Sequence, residues 1–122
     1  MDSAQSKRQA EADRIKGQRL DHVHTEHCRI VPTRDDMLDM LPNGGRAVEV
    51  GVASGDFSQE IILRLRPDKL YLVDVWEDER FSEGLATVTN RFAKQIEAGA
   101  VEIVRGYSTE VLSAFPDGYF DF

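Results

Sequence analysis

A stretch of seven residues, EVGVASG at positions 49–55, has the composition of a small polar ligand site. Gly51 and Gly55 have no Cβ, so the backbone there can turn sharply and approach a ligand closely. The residues between them complete a tight turn: Val52, Ala53 and Ser54. Glu49 stands in an apolar run, where a carboxylate is costly to bury unless something pairs with it. A ligand ammonium group, direct or through water, is a natural partner; the alternative is a plain turn that binds nothing.

A second carboxylate, Asp74, lies 23 residues beyond Gly51, at the end of another apolar run. A carboxylate at the end of a strand can accept hydrogen bonds from both hydroxyls of a ribose, which favours an adenosine ligand. The alternative is that Asp74 only caps the next turn. Val75 and Trp76 follow directly, and the indole either lies beside the adenine or packs against a helix.

The spacing of the small residues separates two kinds of nucleotide site. A dinucleotide fingerprint reads G-x-G-x-x-G/A, and its third small residue lets helix and strand pack closely. Counted from Gly51, that third position falls on Asp56, which is too large and charged for the role. The spacing is instead E-x-G-x-A-x-G. An NAD-type dinucleotide site is therefore disfavoured, although it stays an alternative.

The pattern resembles the first motif of class I S-adenosylmethionine-dependent methyltransferases, acid-x-G-x-G-x-G, with Ala53 in place of the middle glycine. Together with LYLVDVW at 70–76 and VEIVRGYSTEVLSAFPDGYFDF at 101–122, it looks like the Methyltransf_24 family. The resemblance covers Arg46 to Phe122. It implies a Rossmann-like fold, S-adenosylmethionine as cofactor, and O-methylation of a small molecule such as a sugar or natural product.

The resemblance also implies further site residues after the third apolar run, lining the adenine pocket: Gly106, Tyr107 and Ser108. Ser108 would hydrogen-bond the ligand, or else cap a helix that begins at Thr109. Tyr107 and Asp121 are too weakly placed to be assigned as a catalytic base, so the catalytic residue stays unknown. In some relatives a divalent metal is held by an acidic stretch that this chain lacks.

Regular alternation of helix and strand patterns would position these residues. Thr33 and Asp36 form a capping box, and Asp56 is predicted to be the N-cap of a second helix. Strands are predicted at 46–52, 70–75, 101–104 and from 119, and helices at 56–65, from 77 or 82 to 98, and 108–115. Connections too long for hairpins imply parallel strands with right-handed crossovers. The fold class is therefore α/β, a Rossmann-like doubly wound parallel sheet of the class I methyltransferase type, truncated within the fourth strand.

The expected organisation is a polar N-terminal extension over 1–32 and the N-terminal half of a methyltransferase domain over 33–122. In the strand order usual for this fold, strand four lies beside strand one. With strand four only begun, we expect the chain alone to show no methyl transfer and low stability. The other alternative is an inactive fragment that binds a ligand weakly or only contacts a partner chain.

The charge distribution limits the partners. The net charge is −7, yet the first 20 residues carry five basic and three acidic side chains, which leaves −9 for the remainder. Such a domain repels a phosphate backbone, which favours a small-molecule substrate over nucleic acid. The polar opening segment is interpreted as a solvated, partly helical tail. The sequence does not fix the oligomeric state.

Composition and cysteine content indicate the cytoplasm. No apolar run approaches the roughly 18 residues that cross a bilayer, so no membrane partner is predicted. A single cysteine, Cys28, forbids an internal disulfide and suits a reducing compartment. Cys28 and the neighbouring His22, His24 and His27 superficially resemble a metal site, but all four lie in one polar stretch without a second cluster. We predict a loop, or a lid over the cofactor, and no metal.

Overall fold

The computed structural model describes residues 3–15, 17, 19–77 and 82–122. The chain divides into two compact units, Met1–Ile30 and Val31–Phe122. The first contains helix α1 (Ser3–Ile15) and a single 3-10 turn (His22–His24). The described side chains of α1 are exposed, and polar pairs along the helix support it, as in the 2.6 Å ion pair of Arg14 with Glu11.

The second unit alternates helices and strands in the predicted order. Thr33 caps its first helix: its hydroxyl accepts from the Asp36 N–H at 3.2 Å and donates to the Asp36 carboxylate at 2.6 Å, which confirms that cap. The elements are α2 (Arg34–Asp39), β1 (Arg46–Val50), α3 (Asp56–Glu60) continued by a π-helical turn (Ile61–Leu65), β2 (Lys69–Asp74), α4 (Gly84–Arg91), α5 (Ala93–Glu97), β3 (Val101–Arg105) and α6 (Ser108–Val111) continued by a 3-10 turn (Leu112–Ala114).

The three strands form one parallel sheet in the order β1-β2-β3, which confirms the α/β fold class. Asp74 on β2 is opposite Arg105 on β3, so the ends of these strands are level. No fourth strand is assigned within the described residues. Phe122 nevertheless accepts from the N–H of Val48 at 2.9 Å and donates to the carbonyl of Arg46 at 3.3 Å. That is the bonding of a parallel pair, and it lies on the side of β1 predicted for strand four.

Most helices cover one face of the sheet, and a short aromatic cluster covers the other. β2 is buried on both faces, as predicted from its continuous apolar run. The helical side has a core of eleven buried residues, Leu38, Ala47, Val52, Ile61, Leu65, Leu70, Leu72, Trp76, Val88, Phe92 and Val101. On the opposite face, the Tyr71 ring packs edge-to-face against Phe115, Tyr119 and Phe120, with 5.2–5.9 Å between ring centroids.

Asp56 is not the N-cap of α3, so that prediction is wrong. Gly55 takes the position with φ 87°, and Asp56 is the first residue of the helix. A left-handed backbone at the cap favours glycine, which has no Cβ to clash. The Asp56 carboxylate instead pairs with Arg91 at 2.7 Å. Asp56, whose charge and size disfavoured a dinucleotide site in the sequence, thus pairs with a residue of α4.

Two further helix predictions need correction. The helix predicted to end at residue 98 is interrupted at Phe92 (φ −109°, ψ 21°), where α4 ends and α5 begins. The Phe92 ring is buried beneath Gly55, and this packing overrides the continuous helical periodicity of the sequence. Ser108 does not cap a helix, because it is the first residue of α6 and Tyr107 holds the cap position without a side-chain bond.

Candidate functional site

Asp74 ends β2 and ties the turn after β1 to the sheet. One carboxylate oxygen accepts from the N–H groups of Val52 (2.8 Å) and Ala53 (2.9 Å), and the other accepts from Trp76 (3.2 Å). Burial alone raises the pKa of the Asp74 carboxyl, but the backbone donors outweigh it and hold that pKa below its ordinary value. Asp74 therefore holds two segments, the turn after β1 and the residues that follow β2. Its contact with a ribose stays a prediction.

Glu49 is buried, with 7% of its surface exposed, and it has a partner within the chain. The hydroxyl of the fully buried Ser58 on α3 donates to its carboxylate. Burial raises the pKa of the Glu49 carboxyl, while the Ser58 bond and the charge of Arg34 act in the opposite direction. Glu49 can therefore be buried without a ligand ammonium group. Ser58 was not predicted as this partner, because its only signal is that it is a small polar residue within an amphipathic helix.

The two glycines of the turn face different surroundings. A Cβ on Gly51 (φ 83°) would meet no atom within 4 Å, so this position faces open space. A Cβ on Gly55 would lie 2.8 Å from the Phe92 ring and 3.2 Å from Val88. Gly51 thus leaves room for a ligand, whereas Gly55 lets a helix pack closely. The approach of a ligand to the Gly55 backbone stays a prediction.

Trp76 is a packing residue, with 2% of its surface exposed. Its indole N–H donates to the carbonyl of Ala53 at 2.8 Å. A Cβ on Gly84, the first residue of α4, would collide with that carbonyl and with the indole ring. Trp76 therefore joins the turn after β1 to the start of α4, and this burial supports the packing alternative over contact with adenine.

The carboxyl ends of the three strands border one groove of about 170 Å³. Eight residues line it, namely Val50, Gly51, Val73, Asp74, Val75, Gly106, Tyr107 and Ser108. Six of them are predicted site residues from three separate segments of the sequence. The other predicted residues lie within or beneath the first turn: Glu49, Val52, Ala53, Ser54, Gly55 and Trp76. The edge of the sheet therefore brings together half of the predicted set, and the rest shapes the turn that borders it.

Tyr107 and Glu77 meet beside this groove. The Tyr107 ring is half exposed, and its hydroxyl donates to the Glu77 carboxylate at 3.0 Å. The bond to Glu77 raises the pKa of Tyr107, so the hydroxyl stays protonated at neutral pH. Gly106 packs on Val111, because a Cβ there would lie 2.5 Å from that side chain. Glu77 was not predicted as the partner of Tyr107, since its only signal was its position three residues after Asp74.

A larger hollow of about 410 Å³ lies at the opposite end of β1, bordered by Leu41, Pro42, Asn43, Gly44, Gly45, Leu65, Asp121 and Phe122. Size alone does not make it the site, since open parallel sheets bind ligands beyond the carboxyl ends of their strands. Asp121 accepts from the Arg46 N–H at 2.8 Å here. It therefore lies at the far end of β1 from the groove, which removes it as a catalytic base there.

Within the described ranges, no group of three or more His, Cys, Asp or Glu side chains is arranged to hold a metal ion. His22, His24, His27 and Cys28 are exposed, and the Cys28 thiol contacts the carbonyl of His24 at 3.9 Å. No described helix is both long and apolar enough to span a bilayer. No metal ligand is assigned.

Several solved structures have a similar fold. They include a putative rRNA-methylase from Clostridium thermocellum (9% identity, TM-score 0.54), M. capricolum TrmK in complex with S-adenosyl-homocysteine (12%, 0.50), and a precorrin-6y C5,15-methyltransferase from Geobacter metallireducens GS-15 (13%, 0.51). The alignments include 73%, 70% and 76% of this chain. The chain has the Rossmann-like fold of class I methyltransferases.

The likeness covers only part of each of those proteins. The chain spans 50%, 36% and 51% of their respective lengths. No family model and no curated protein matches the sequence. The resemblance to the Methyltransf_24 family therefore stays a prediction, and sequence identities of 9–13% carry the fold alone.

Proposed function

We propose that the chain binds S-adenosylmethionine in the groove at the carboxyl ends of β1, β2 and β3, as the cofactor-binding part of a methyltransferase. One observation carries the proposal: site residues predicted in three distant segments of the sequence line the same groove. Its position is where open parallel sheets bind nucleotides. The fold shared with an S-adenosyl-homocysteine complex supports the choice of ligand.

Each segment has a distinct part in this proposal. Gly51 leaves the side of the groove nearest β1 open, and Asp74 fixes the backbone of the first turn before any ligand arrives. Such preorganisation raises affinity because less ordering remains to be done on binding. Val75 and the segment Gly106–Ser108 form the part of the groove between β2 and β3, where the adenine is proposed to lie.

The proposed acceptor is a hydroxyl group of a small molecule. A base would remove its proton, and bound S-adenosylmethionine would supply the methyl group, with cleavage of its C–S bond and release of S-adenosylhomocysteine. The chain's net charge of −7 supports a small acceptor over a polyanion. No base is assigned to this chain. The contrasting acceptor is RNA, since one of the similar structures is titled a putative rRNA-methylase. Because the chain alone is expected to transfer no methyl group, the test uses a chain extended beyond Phe122. Labelled S-adenosylmethionine is offered to it with catechol or with total RNA, and the product that acquires label distinguishes the two acceptors.

Calorimetry with S-adenosylhomocysteine and NAD tests the binding proposal, and the chain offers a matched pair of variants. Gly51 and Gly99 both have positive φ (83° and 76°), and a Cβ on either would meet nothing within 4 Å. Gly51→Ala and Gly99→Ala therefore carry similar backbone strain, but only Gly51 borders the groove. We expect Gly51→Ala to weaken S-adenosylhomocysteine binding by about tenfold, or about 1.4 kcal/mol. Gly99→Ala should bind like the unaltered chain, and tighter binding of NAD would overturn the proposal.

A further inference from the structure

Arg91, the last residue of α4, bonds that helix to the first turn and to α3. Its Nη1 donates to the Asp56 carboxylate at 2.7 Å and, through a longer bond of 3.4 Å, to the Ser54 carbonyl. Its Nε donates to the Gln59 side-chain oxygen at 3.0 Å, and its Nη2 donates to the same oxygen. One guanidinium therefore holds the turn, the first residue of α3 and a residue one helical turn further along.

The end of α4 contacts the first turn through two consecutive side chains. The planar guanidinium of Arg91 carries five N–H donors in fixed directions, so it can bond several acceptors at once. Phe92 follows directly, and its buried ring lies against Gly55. The helix end therefore places a ring under the turn and a charged group against the exposed residue Ser54.

The bond to Ser54 acts on the peptide group that closes the turn. The Gly55 N–H donates to the Val52 carbonyl at 3.1 Å, which closes the turn on itself. The Ser54 carbonyl and the Gly55 N–H belong to one planar peptide group, so fixing the carbonyl also orients the N–H. Asp74 holds only the two preceding N–H groups, those of Val52 and Ala53. Arg91 therefore holds the part of the turn that Asp74 does not reach.

We infer that Arg91 is a positioning residue for the cofactor groove, which orients the peptide between Ser54 and Gly55 and so keeps the first turn in one shape. This inference rests on the proposed function, because Gly51 of the same turn borders that groove. The Arg91 side chain is 31% exposed and that of its partner Asp56 is 83% exposed, and ion pairs so exposed contribute little to stability. The effect of Arg91 is therefore on local order, which ligand binding would otherwise have to supply.

Amide hydrogen exchange and calorimetry on the full chain test this, and Arg64 offers a matched control. Arg64 bonds two carboxylates, those of Asp39 and Glu60, each at 2.7 Å, and 35% of its side chain is exposed. It connects the π-helical turn to α2 instead of to the turn after β1. We expect Arg91→Ala to speed exchange of the Gly55 amide by about tenfold and to weaken S-adenosylhomocysteine binding by about 3- to 10-fold. Arg64→Ala should leave both unchanged.

An amide of the sheet shows whether the effect is local. The Leu70 N–H donates to the Ala100 carbonyl at 2.9 Å, far along β2 from the turn, and its exchange should not change in Arg91→Ala. Equal acceleration at Leu70 and Gly55 would overturn the inference, since it would indicate a general loss of stability.

The outcomes separate this inference from the proposed function. Exchange needs no ligand, so an unchanged Gly55 amide in Arg91→Ala overturns the inference whether or not the chain binds S-adenosylhomocysteine. Faster exchange at Gly55 with unchanged binding would overturn the link between Arg91 and the groove. If the unaltered chain fails to bind S-adenosylhomocysteine, the proposed function is wrong, and exchange still decides whether Arg91 orders the turn.

Discussion

The turns after β1 and β3 border the same groove but are held in different ways. In the first turn, residues 51–55, Asp74 accepts the N–H groups of Val52 and Ala53, and Trp76 donates to the Ala53 carbonyl. In the second turn, residues 106–108, the Tyr107 ring is exposed and is held by a hydrogen bond to another exposed side chain. One turn is tied into the core, and the other presents its polar atoms to solvent.

This difference shows that a polar residue near a ligand groove can stabilise the fold through bonds within the chain, whether or not it also contacts a ligand. The carboxylates of Asp74 and Glu49 both find partners within the chain, in backbone N–H groups and in Ser58. Buried polar groups need partners whether or not a ligand is bound. Gly51, in contrast, has open space beside it and remains available to a ligand.

The largest effect on stability should come from the anchor of the first turn. Asp74→Ala removes the acceptor of three backbone N–H groups, and we expect a loss of about 2–4 kcal/mol in the free energy of unfolding. Urea denaturation followed by circular dichroism measures it. Asp74→Asn keeps an acceptor oxygen and should lose less than half as much. Equal stability of Asp74→Ala and the unaltered chain would contradict this account of the turn.

A smaller effect should separate the two glycines of the same turn. Alanine at Gly55 carries the cost of positive φ and must also displace the Phe92 ring, so we expect about 2–3 kcal/mol of destabilisation. Alanine at Gly51 carries only the conformational cost, about 1–2 kcal/mol. Thermal unfolding of the two variants side by side provides the measurement. The reverse order would mean that the close approach of Phe92 does not constrain the turn.

The sequence predicted the strands, their parallel order and the edge where the site lies, because those follow from apolar runs, helical periodicity and connection lengths. It did not predict the partners of the polar residues. The Asp74 carboxylate bonds N–H groups 21 and 22 residues earlier, and these can converge on it only because Ala53 has φ 55°. The residue types predict a tight turn at these positions, but they do not predict a left-handed backbone at an alanine. Likewise, the sequence does not indicate that the indole of Trp76 packs against Gly84, where a Cβ would collide with it.

The smallest predicted effect concerns pH, and it has opposite signs at the two carboxylates. The pKa of Asp74 is lowered in the folded chain, so its stabilising contribution is present above its unfolded pKa, about 3.9, and is lost as pH falls through the folded value. The pKa of Glu49 is raised, so the folded chain binds that proton more tightly, and stability declines as pH rises from about 4.3 through the folded value. Urea titrations at a series of pH values measure both slopes. Asp74→Asn should flatten the acid limb, and Glu49→Gln should flatten the decline above it while keeping a hydrogen-bond acceptor for Ser58. A Glu49→Gln variant that retains the full decline would show that another group causes it.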